Sequence, residues 1–183
     1  MLTQLRILAF AIAAMFGLWA GQASAFWPFG PRAEPLEFSP AYGGDCESCN
    51  LSGRILAGAR LSNSVFNGSN FSQAVLTGAD ASGSAFAAAD FTGADLRQAS
   101  LVASDCPQAR FQGASMAHVN ARDANFRRAD FSAADVSRMN FEGADIAGAD
   151  LSTARGLTQA QLDAACGDAR TRLPEGLRVR RCR

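Results

Sequence analysis

Lysine is absent from this sequence and histidine occurs once, as His118. All 17 basic residues are arginine, and 17 acidic residues balance them, so the formal net charge is zero. A chain without net charge has no overall field to attract nucleic acid or an acidic surface. One histidine without a partnered nucleophile supports neither a catalytic triad nor a metal site. We therefore predict no catalytic residue, no metal, no cofactor and no nucleic acid partner.

The first 25 residues have the features of a secretory signal peptide. Arg6 precedes an apolar run over residues 7–20, and Ala23-Ser24-Ala25 offers a small-residue cleavage site. An uncleaved membrane anchor is the alternative, but the run is shorter than the about 20 residues that span a bilayer. We predict cleavage after Ala25, no stable membrane span afterwards, and a periplasmic or secreted mature chain.

Residues 26–45 are rich in proline, glycine and aromatic residues, beginning Phe26-Trp27-Pro28-Phe29-Gly30-Pro31. This segment has neither a helical nor a strand period, which predicts an extended linker. Its aromatic side chains could dock on the following domain or on a partner.

A period of five residues organises the chain from Leu51 to Leu151. All eight phenylalanines and all seven leucines in this range stand on one phase of five, which we call the centre of each unit. By chance, each would have about one chance in five of doing so. Of the 21 positions that lie two residues before a centre, 13 are alanine and 4 are serine. We call this the small position.

This period excludes the ordinary elements. Steps of five advance a side chain by about 140° on an α-helix, so no single stripe forms. On a flat strand an odd step reverses the face each time. The backbone must instead turn a corner every five residues, and four corners close a coil of 20 residues that hydrogen-bonds to the next coil like a parallel strand.

Units such as Ala89-Asp90-Phe91-Thr92-Gly93 and Ala94-Asp95-Leu96-Arg97-Gln98 resemble the pentapeptide-repeat family. The resemblance covers 21 consecutive units. It implies an all-β solenoid, a right-handed quadrilateral parallel β-helix in which the centre and the small position both point inward. It implies little about activity.

Read with a period of 20, the centres form four ladders, and one of them is the aromatic core column Phe71, Phe91, Phe111 and Phe131. Twenty-one units make about five coils, spanning roughly 25 Å at the spacing of paired strands. We assign the β-helix to residues 46–153 and a C-terminal cap with an Arg-rich tail to residues 154–183. In the cap, Thr158 and Gln161 have the spacing of a capping box. We predict a short helix through Leu162 to Ala165 that Gly167 ends.

Export makes the five cysteines disulfide candidates first. Cys106 stands at a centre and is predicted to be a buried free thiol. Cys46 and Cys49 lie at one end of the stack and Cys166 and Cys182 at the other. A disulfide needs Cα atoms within about 7 Å, so we predict the pairs Cys46–Cys49 and Cys166–Cys182.

Three functions remain open. The first is a non-enzymatic scaffold of the cell envelope that binds an unidentified protein partner; the oligomeric state is not predicted. The second follows from the resemblance, because some members of the family use an acidic rod to imitate DNA and occupy DNA gyrase. Here nine arginines offset ten acids between Arg54 and Arg155, and the signal peptide argues against a cytoplasmic target. The third is an exported thiol–disulfide protein that uses Cys46 and Cys49, but no βαβ context is present. The tail from Arg170 to Arg183 could touch anionic headgroups, although a solvated tail is favoured.

Overall fold

The structure is a computed structural model that describes residues 46–182. The chain divides into two compact units, Met1–Arg32 and Ala33–Arg183, and every described residue belongs to the second. The signal peptide predicted for residues 1–25 and the linker predicted for residues 26–45 lie outside the described residues. Over residues 46–182, no helix has the length and hydropathy that crossing a membrane requires.

From Asn50 onward the backbone turns every five residues. The residue directly before each centre, which we call the outer position, forms a parallel bridge with the residue 20 positions later. The bridges run without a break from Asn50–Asn70 to Asp135–Arg155. Each bridge joins a single residue of one coil to a single residue of the next, so these bridges do not extend into strands of several residues. This spacing makes each coil 20 residues long, as the period of five requires.

Backbone hydrogen bonds join each coil to the next in a repeating pattern. The outer N–H donates to the preceding coil, as Val75 does to the carbonyl of Arg54 at 2.8 Å. The centre N–H donates to the following coil, as Leu56 does to the carbonyl of Val75 at 2.7 Å. A unit inside the stack is therefore bonded to the preceding coil through its outer N–H and to the following coil through its centre N–H.

The centres fill the interior in columns. Phe71, Phe91, Phe111 and Phe131 stack with ring centroids 4.9, 5.0 and 5.0 Å apart and nearly parallel planes, and all four are buried. A neighbouring column that includes Phe126 meets them edge-on, with centroids 5.3 Å apart for Phe126 and Phe131. Alanine at the small positions leaves room for these rings.

Serine replaces alanine at four small positions and adds polar contacts inside the stack. The hydroxyl of Ser69 donates to the carbonyl of Cys46 at 2.6 Å and accepts the N–H of Cys49 at 3.0 Å. Ser84 bridges the carbonyl of Leu61 and the N–H of Ser64 in the same way. Because both groups of the hydroxyl are used, these buried serines carry no unsatisfied polar atom.

The C-terminal cap contains one helix, α1, spanning Gln159–Ala164. Its capping box is formed by Thr158 and Gln161, and Leu162 is fully buried under the last coil. The amide of Gln161 also donates to the carbonyls of Val136 and Met139 at 2.8 and 2.9 Å, so the helix satisfies acceptors at the end of the stack.

The prediction that Gly167 ends the helix is wrong. The helix ends at Ala164 and Ala165 is already extended, while Gly167 forms a bridge with Arg181. The chain must be extended here because Cys166 bridges to Asp145 and so continues the ladder past the helix.

Candidate functional site

The outer carboxylates hold the corners of the coils. Asp130 accepts the N–H of Ser132 at 2.9 Å and its hydroxyl at 2.6 Å, which is the geometry of an Asx turn. Seven of the eight outer aspartates accept the N–H two residues on: Asp80, Asp90, Asp95, Asp130, Asp135, Asp145 and Asp150. Asp105 is the exception because Pro107 has no N–H, and it accepts the amide of Asn125 at 2.6 Å instead.

Hydrogen bonds favour the charged form of three of these carboxylates, those of Asp95, Asp130 and Asp135. The Arg97 guanidinium, whose Nη2 lies 2.6 Å from Asp95 Oδ2, lowers the pKa of Asp95. The Ser137 hydroxyl and N–H lower the pKa of Asp135. Partial burial acts to raise the pKa of Asp130, but hydrogen bonds from Ser132 and the amide of Gln112 bring it below its ordinary value. These three aspartates thus act as structural acceptors rather than as acids or bases poised near neutral pH.

Arginines form ion pairs with four of the outer aspartates: Asp90, Asp95, Asp145 and Asp150. Arg110 Nη2 lies 2.9 Å from Asp90 Oδ2 one coil before it, and Arg127 Nη1 lies 2.8 Å from Asp145 Oδ2. The ladder therefore carries both signs of charge side by side.

Charge is distributed unevenly along the stack. Residues 46–89, the neutral section, contain four charged residues: Glu47, Arg54, Arg60 and Asp80. Residues 90–155, the charged section, contain nine acids and seven arginines. Ile55 in the neutral section is the one exposed large apolar side chain among the described residues, with 53% of its surface accessible. The two sections consequently offer a partner different chemistry.

Both predicted cysteine pairs stand at disulfide distance. The Cα atoms of Cys46 and Cys49 are 5.5 Å apart, and those of Cys166 and Cys182 are 4.8 Å apart. Cys46 and Cys49 lie in a corner turn of the first coil, and Ser48 there has a φ of 56°. The one helix within residues 46–182 begins after Thr158, so among these residues no helix N-terminus adjoins the pair to lower a thiol pKa.

Cys106 is fully buried, and burial raises the pKa of its thiol to about 12, although a contact with the Ser104 hydroxyl opposes this. It therefore has no thiolate for chemistry at neutral pH. Asp145, Cys166 and Cys182 form the only group of three potential metal ligands within the described part of the chain, and their ligand atoms lie within 4.8 Å of one another. Two sulfurs joined in a disulfide would offer no thiolate to a metal. His118 is exposed at a corner with a φ of 63°.

Much of the Arg-rich tail is tied to the cap, a feature that the sequence analysis missed. Arg172 pairs with Asp150 at 3.3 Å, and Arg180 Nε donates to the carbonyl of Ala165 at 2.8 Å. Arg170 pairs with Asp168 at 3.1 Å. Desolvation acts to raise the pKa of Asp168, but hydrogen bonds from Arg170 and from the N–H of Gly148 lower it to about 2. The alternation of Arg with turn residues in this segment gives no sequence signal for these pairs.

The comparisons with known proteins agree with this geometry. A family model described as pentapeptide repeats matches in eight copies, at residues 45–83, 55–93, 89–128 and 124–155. Among solved structures, the pentapeptide repeat protein Rfr23 from the cyanobacterium Cyanothece 51142 is similar at 16% identity and a TM-score of 0.50, covering 70% of this chain and 90% of that one.

Two further solved structures are less similar in shape. A pentapeptide repeat protein from the Arabidopsis thaliana thylakoid lumen has 29% identity and a TM-score of 0.37, covering 62% of this chain and 72% of that one. QnrB1, a plasmid-mediated fluoroquinolone resistance protein, has 16% identity and a TM-score of 0.38, covering 72% and 82%. No curated protein sequence matches.

The family model spans residues 45–155 of the 183, which is more than half of the chain. The likeness to the cyanobacterial structure gives the fold as a right-handed β-helix solenoid. With the 20-residue ladder and the family model in agreement, this chain belongs to the pentapeptide repeat family.

Proposed function

We propose that this protein is a non-enzymatic scaffold of the cell envelope that presents rigid β-helix faces to a protein partner. The observation that carries the proposal is the use made of the outer side chains. Seven outer aspartates accept backbone N–H groups of their own corners. Side chains engaged in this way are poor nucleophiles and bases, but they fix the surface on which they stand.

The proposal treats residues 46–153 as a closed, four-sided stack of about five coils, with residues 154–183 as its C-terminal cap. Support comes from the unbroken bridges between residues 20 positions apart and from the burial of Leu162 of α1 under the last coil. A stack in which each coil is bonded to two neighbours deforms little, so its faces keep their shape on binding.

We further propose that the protein is exported after cleavage at Ala25 and that both cysteine pairs are oxidised. Thiol titration in denaturant tests the pairing. Without reductant one reactive thiol is expected, from Cys106, and after reduction all five cysteines should react. Three or more thiols before reduction would contradict the pairing. A Cys46–Cys49 bond that mild reductants open would favour the thiol–disulfide alternative.

Photocrosslinking in intact cells tests the scaffold. A crosslinking residue is placed directly after the centre on each of the four sides of one coil, replacing in turn Arg127, Ser132, Ser137 and Glu142. A partner that docks on a flat face contacts one side or two neighbouring sides of the stack. The crosslinkers on those sides should therefore capture one discrete envelope protein, and the crosslinkers on the remaining sides should not. Equal adducts on all four sides, or none in the envelope fraction, would contradict the proposal.

Fractionation and an enzyme assay address the gyrase alternative. The mature protein should be recovered outside the cytoplasm and should leave DNA supercoiling by gyrase unchanged. Retention in the cytoplasm together with inhibition of supercoiling would contradict the scaffold proposal and favour the gyrase-binding alternative.

A further inference from the structure

The last layer of the described stack is formed by the C-terminal tail. Gly167 directly follows the residue that continues the ladder past α1, and it forms a parallel bridge with Arg181. The N–H of Gly167 donates to the carbonyl of Arg180 at 2.8 Å, and the N–H of Cys182 donates to the carbonyl of Gly167 at 3.0 Å. The tail therefore lies across the C-terminal end of the stack. We call residues 177–182 the end segment.

The end segment packs its apolar side chains against the stack and leaves its arginines exposed. Leu177 and Val179 contact the hydrophobic core and are partly buried. Arg178, Arg180 and Arg181 are exposed. The segment is therefore amphipathic, with three positive charges at the outer surface of the cap.

Hydrogen bonds to the cap hold the end segment in place. The N–H of Arg178 donates to Oε1 of Gln159 at 3.1 Å, and its carbonyl accepts from Nε2 of Gln159 at 2.9 Å. Arg180 Nε donates to the carbonyl of Ala165 at 2.8 Å. A ligand of these arginines consequently meets a backbone that is already ordered, so binding costs little conformational entropy of the chain.

The arginines of the end segment carry charge that no carboxylate of the described residues compensates. Within residues 46–182, none of the three forms an ion pair. The bond of Arg180 goes to a neutral carbonyl. Among the acids of the cap, Asp168 pairs with Arg170 at 3.1 Å, and Asp163 accepts the amide of Gln159 at 2.7 Å.

Charge also separates along the axis of the stack, although the whole chain has no net charge. The charged section contains nine acids and seven arginines, a net charge of −2. Residues 156–182 beyond it contain five arginines and three acids, a net charge of +2. An anionic surface would therefore attract the C-terminal end of the stack and repel the sides of the charged section.

The apolar side chains beside the arginines favour a lipid surface over a soluble anion. Leu173, Leu177 and Val179 are partly buried, so each keeps some accessible apolar surface at this end. Anionic membranes bind such surfaces by combining attraction of basic side chains to headgroups with burial of apolar area at the interface. A soluble anion offers only the first of these two contributions.

We infer that the C-terminal end of the β-helix binds an anionic phospholipid membrane through Arg178, Arg180 and Arg181. The stack then stands on the membrane by this end, and its four sides stay free for a protein partner. The inference deepens the proposed function and rests on it for the location in the envelope. Binding to lipid depends neither on export nor on the partner, so the two can fail separately.

Co-sedimentation with vesicles tests the choice of lipid. The mature protein should bind vesicles of equal parts phosphatidylglycerol and phosphatidylcholine at least about tenfold more tightly than vesicles of phosphatidylcholine alone. The difference should disappear in about 1 M salt, where the Debye length is about 3 Å. Equal binding to both compositions, or binding to neither, would overturn the inference. Recovery of the protein in the cytoplasm would contradict export and leave the vesicle result standing.

Soluble glycerol phosphate distinguishes a membrane from a free phosphate group. At the same phosphate concentration as the lipid it should leave the protein on the vesicles, because one molecule cannot engage the three arginines and the apolar side chains together. Complete displacement would assign the site to a single phosphate group and would overturn the inference.

Substitution of two arginines tests the site itself. The double variant Arg178→Gln, Arg181→Gln should bind the phosphatidylglycerol vesicles about tenfold or more weakly. The double variant Arg54→Gln, Arg60→Gln is the matched control, because it removes the same charge from exposed arginines of the first coil that form no ion pair within residues 46–182. Its affinity should change by less than about twofold. Equal losses in both variants would assign binding to net charge and contradict the site. A urea midpoint equal to that of the parent protein checks that each variant is folded.

Discussion

The neutral and charged sections have the same backbone arrangement and differ in the side chains at their outer positions. In both, the outer N–H donates to the preceding coil at about the same distance, 2.8 Å for Val75 and 3.0 Å for Asp130. The corner beyond Asn70 is held by a neutral amide that accepts the N–H of Ser72 at 2.9 Å, and the corner beyond Asp130 is held by a carboxylate at the same distance. The ladder therefore does not require charge, and the surface can change while the stack stays the same.

The corners themselves also differ between the sections. The residue two positions after each centre has a positive φ in nearly every described unit, a conformation that glycine adopts without strain. Glycine fills five of nine such corners in the neutral section but four of twelve in the charged section. The charged section thus stores more backbone strain in its corners.

The largest effect is expected in the shared core. Phe71→Ala in the neutral section and Phe111→Ala in the charged section each remove a fully buried ring from one column. Each should lower the free energy of unfolding by about 3–5 kcal/mol, in a single urea transition. Arg138→Ala, at an exposed corner, is the surface control and should change stability by less than about 0.5 kcal/mol. Two separate transitions in either core variant would show that the sections unfold independently.

An intermediate effect is expected at the corners. Ala133 has a φ of 58°, and Gly113 holds the same corner one coil earlier with a φ of 64° and open space around a would-be Cβ. Ala133→Gly should stabilise the protein by up to about 1 kcal/mol, because relief of strain exceeds the added entropy of the unfolded chain. Gly113→Ala should destabilise it by a similar amount. Thermal unfolding measures both, and shifts of the same sign would rule out backbone strain as the cause.

The smallest effect is expected from converting one outer carboxylate to the amide of the neutral section. Asp130→Asn keeps an acceptor for Ser132 and should cost less than about 1 kcal/mol at pH 7. Because the pKa of Asp130 is lowered in the folded state, its contribution is present above the ordinary carboxyl pKa of about 3.9. That contribution is lost as the pH falls through the lower folded value.

The difference in the free energy of unfolding between Asp130→Asn and the parent protein should therefore shrink below pH 4. Urea unfolding measured at a series of pH values checks this. Asn70→Asp, at the same outer position three coils earlier, is the reciprocal variant and should gain a pH dependence of the same sign. A difference between Asp130→Asn and the parent that stays constant down to acid pH would assign the effect to packing rather than to charge.

The position of each centre could be predicted because a fixed step of five leaves one way to turn the backbone. Leu56 and Leu76 lie one coil apart for this reason alone. The hydrogen bonds of the Ser84 hydroxyl could not be predicted. Whether it bridges the carbonyl of Leu61 and the N–H of Ser64 depends on its rotamer and on groups in another coil. The end of α1 was misplaced because a glycine signal near Gly167 was outweighed by the bridge that Cys166 forms with Asp145.

The bridge between residues 20 positions apart has a consequence for insertions and deletions. Adding a whole coil, for example after Gly93, would leave every later side chain on its own side of the stack. Adding a single unit of five residues there would keep the backbone ladder but turn everything beyond it by a quarter of a revolution. Phe111 would then leave the column of Phe91, and Arg110 would no longer stand over Asp90. Chain length in this fold therefore acts as an angular coordinate, which sets the direction that each charged residue faces.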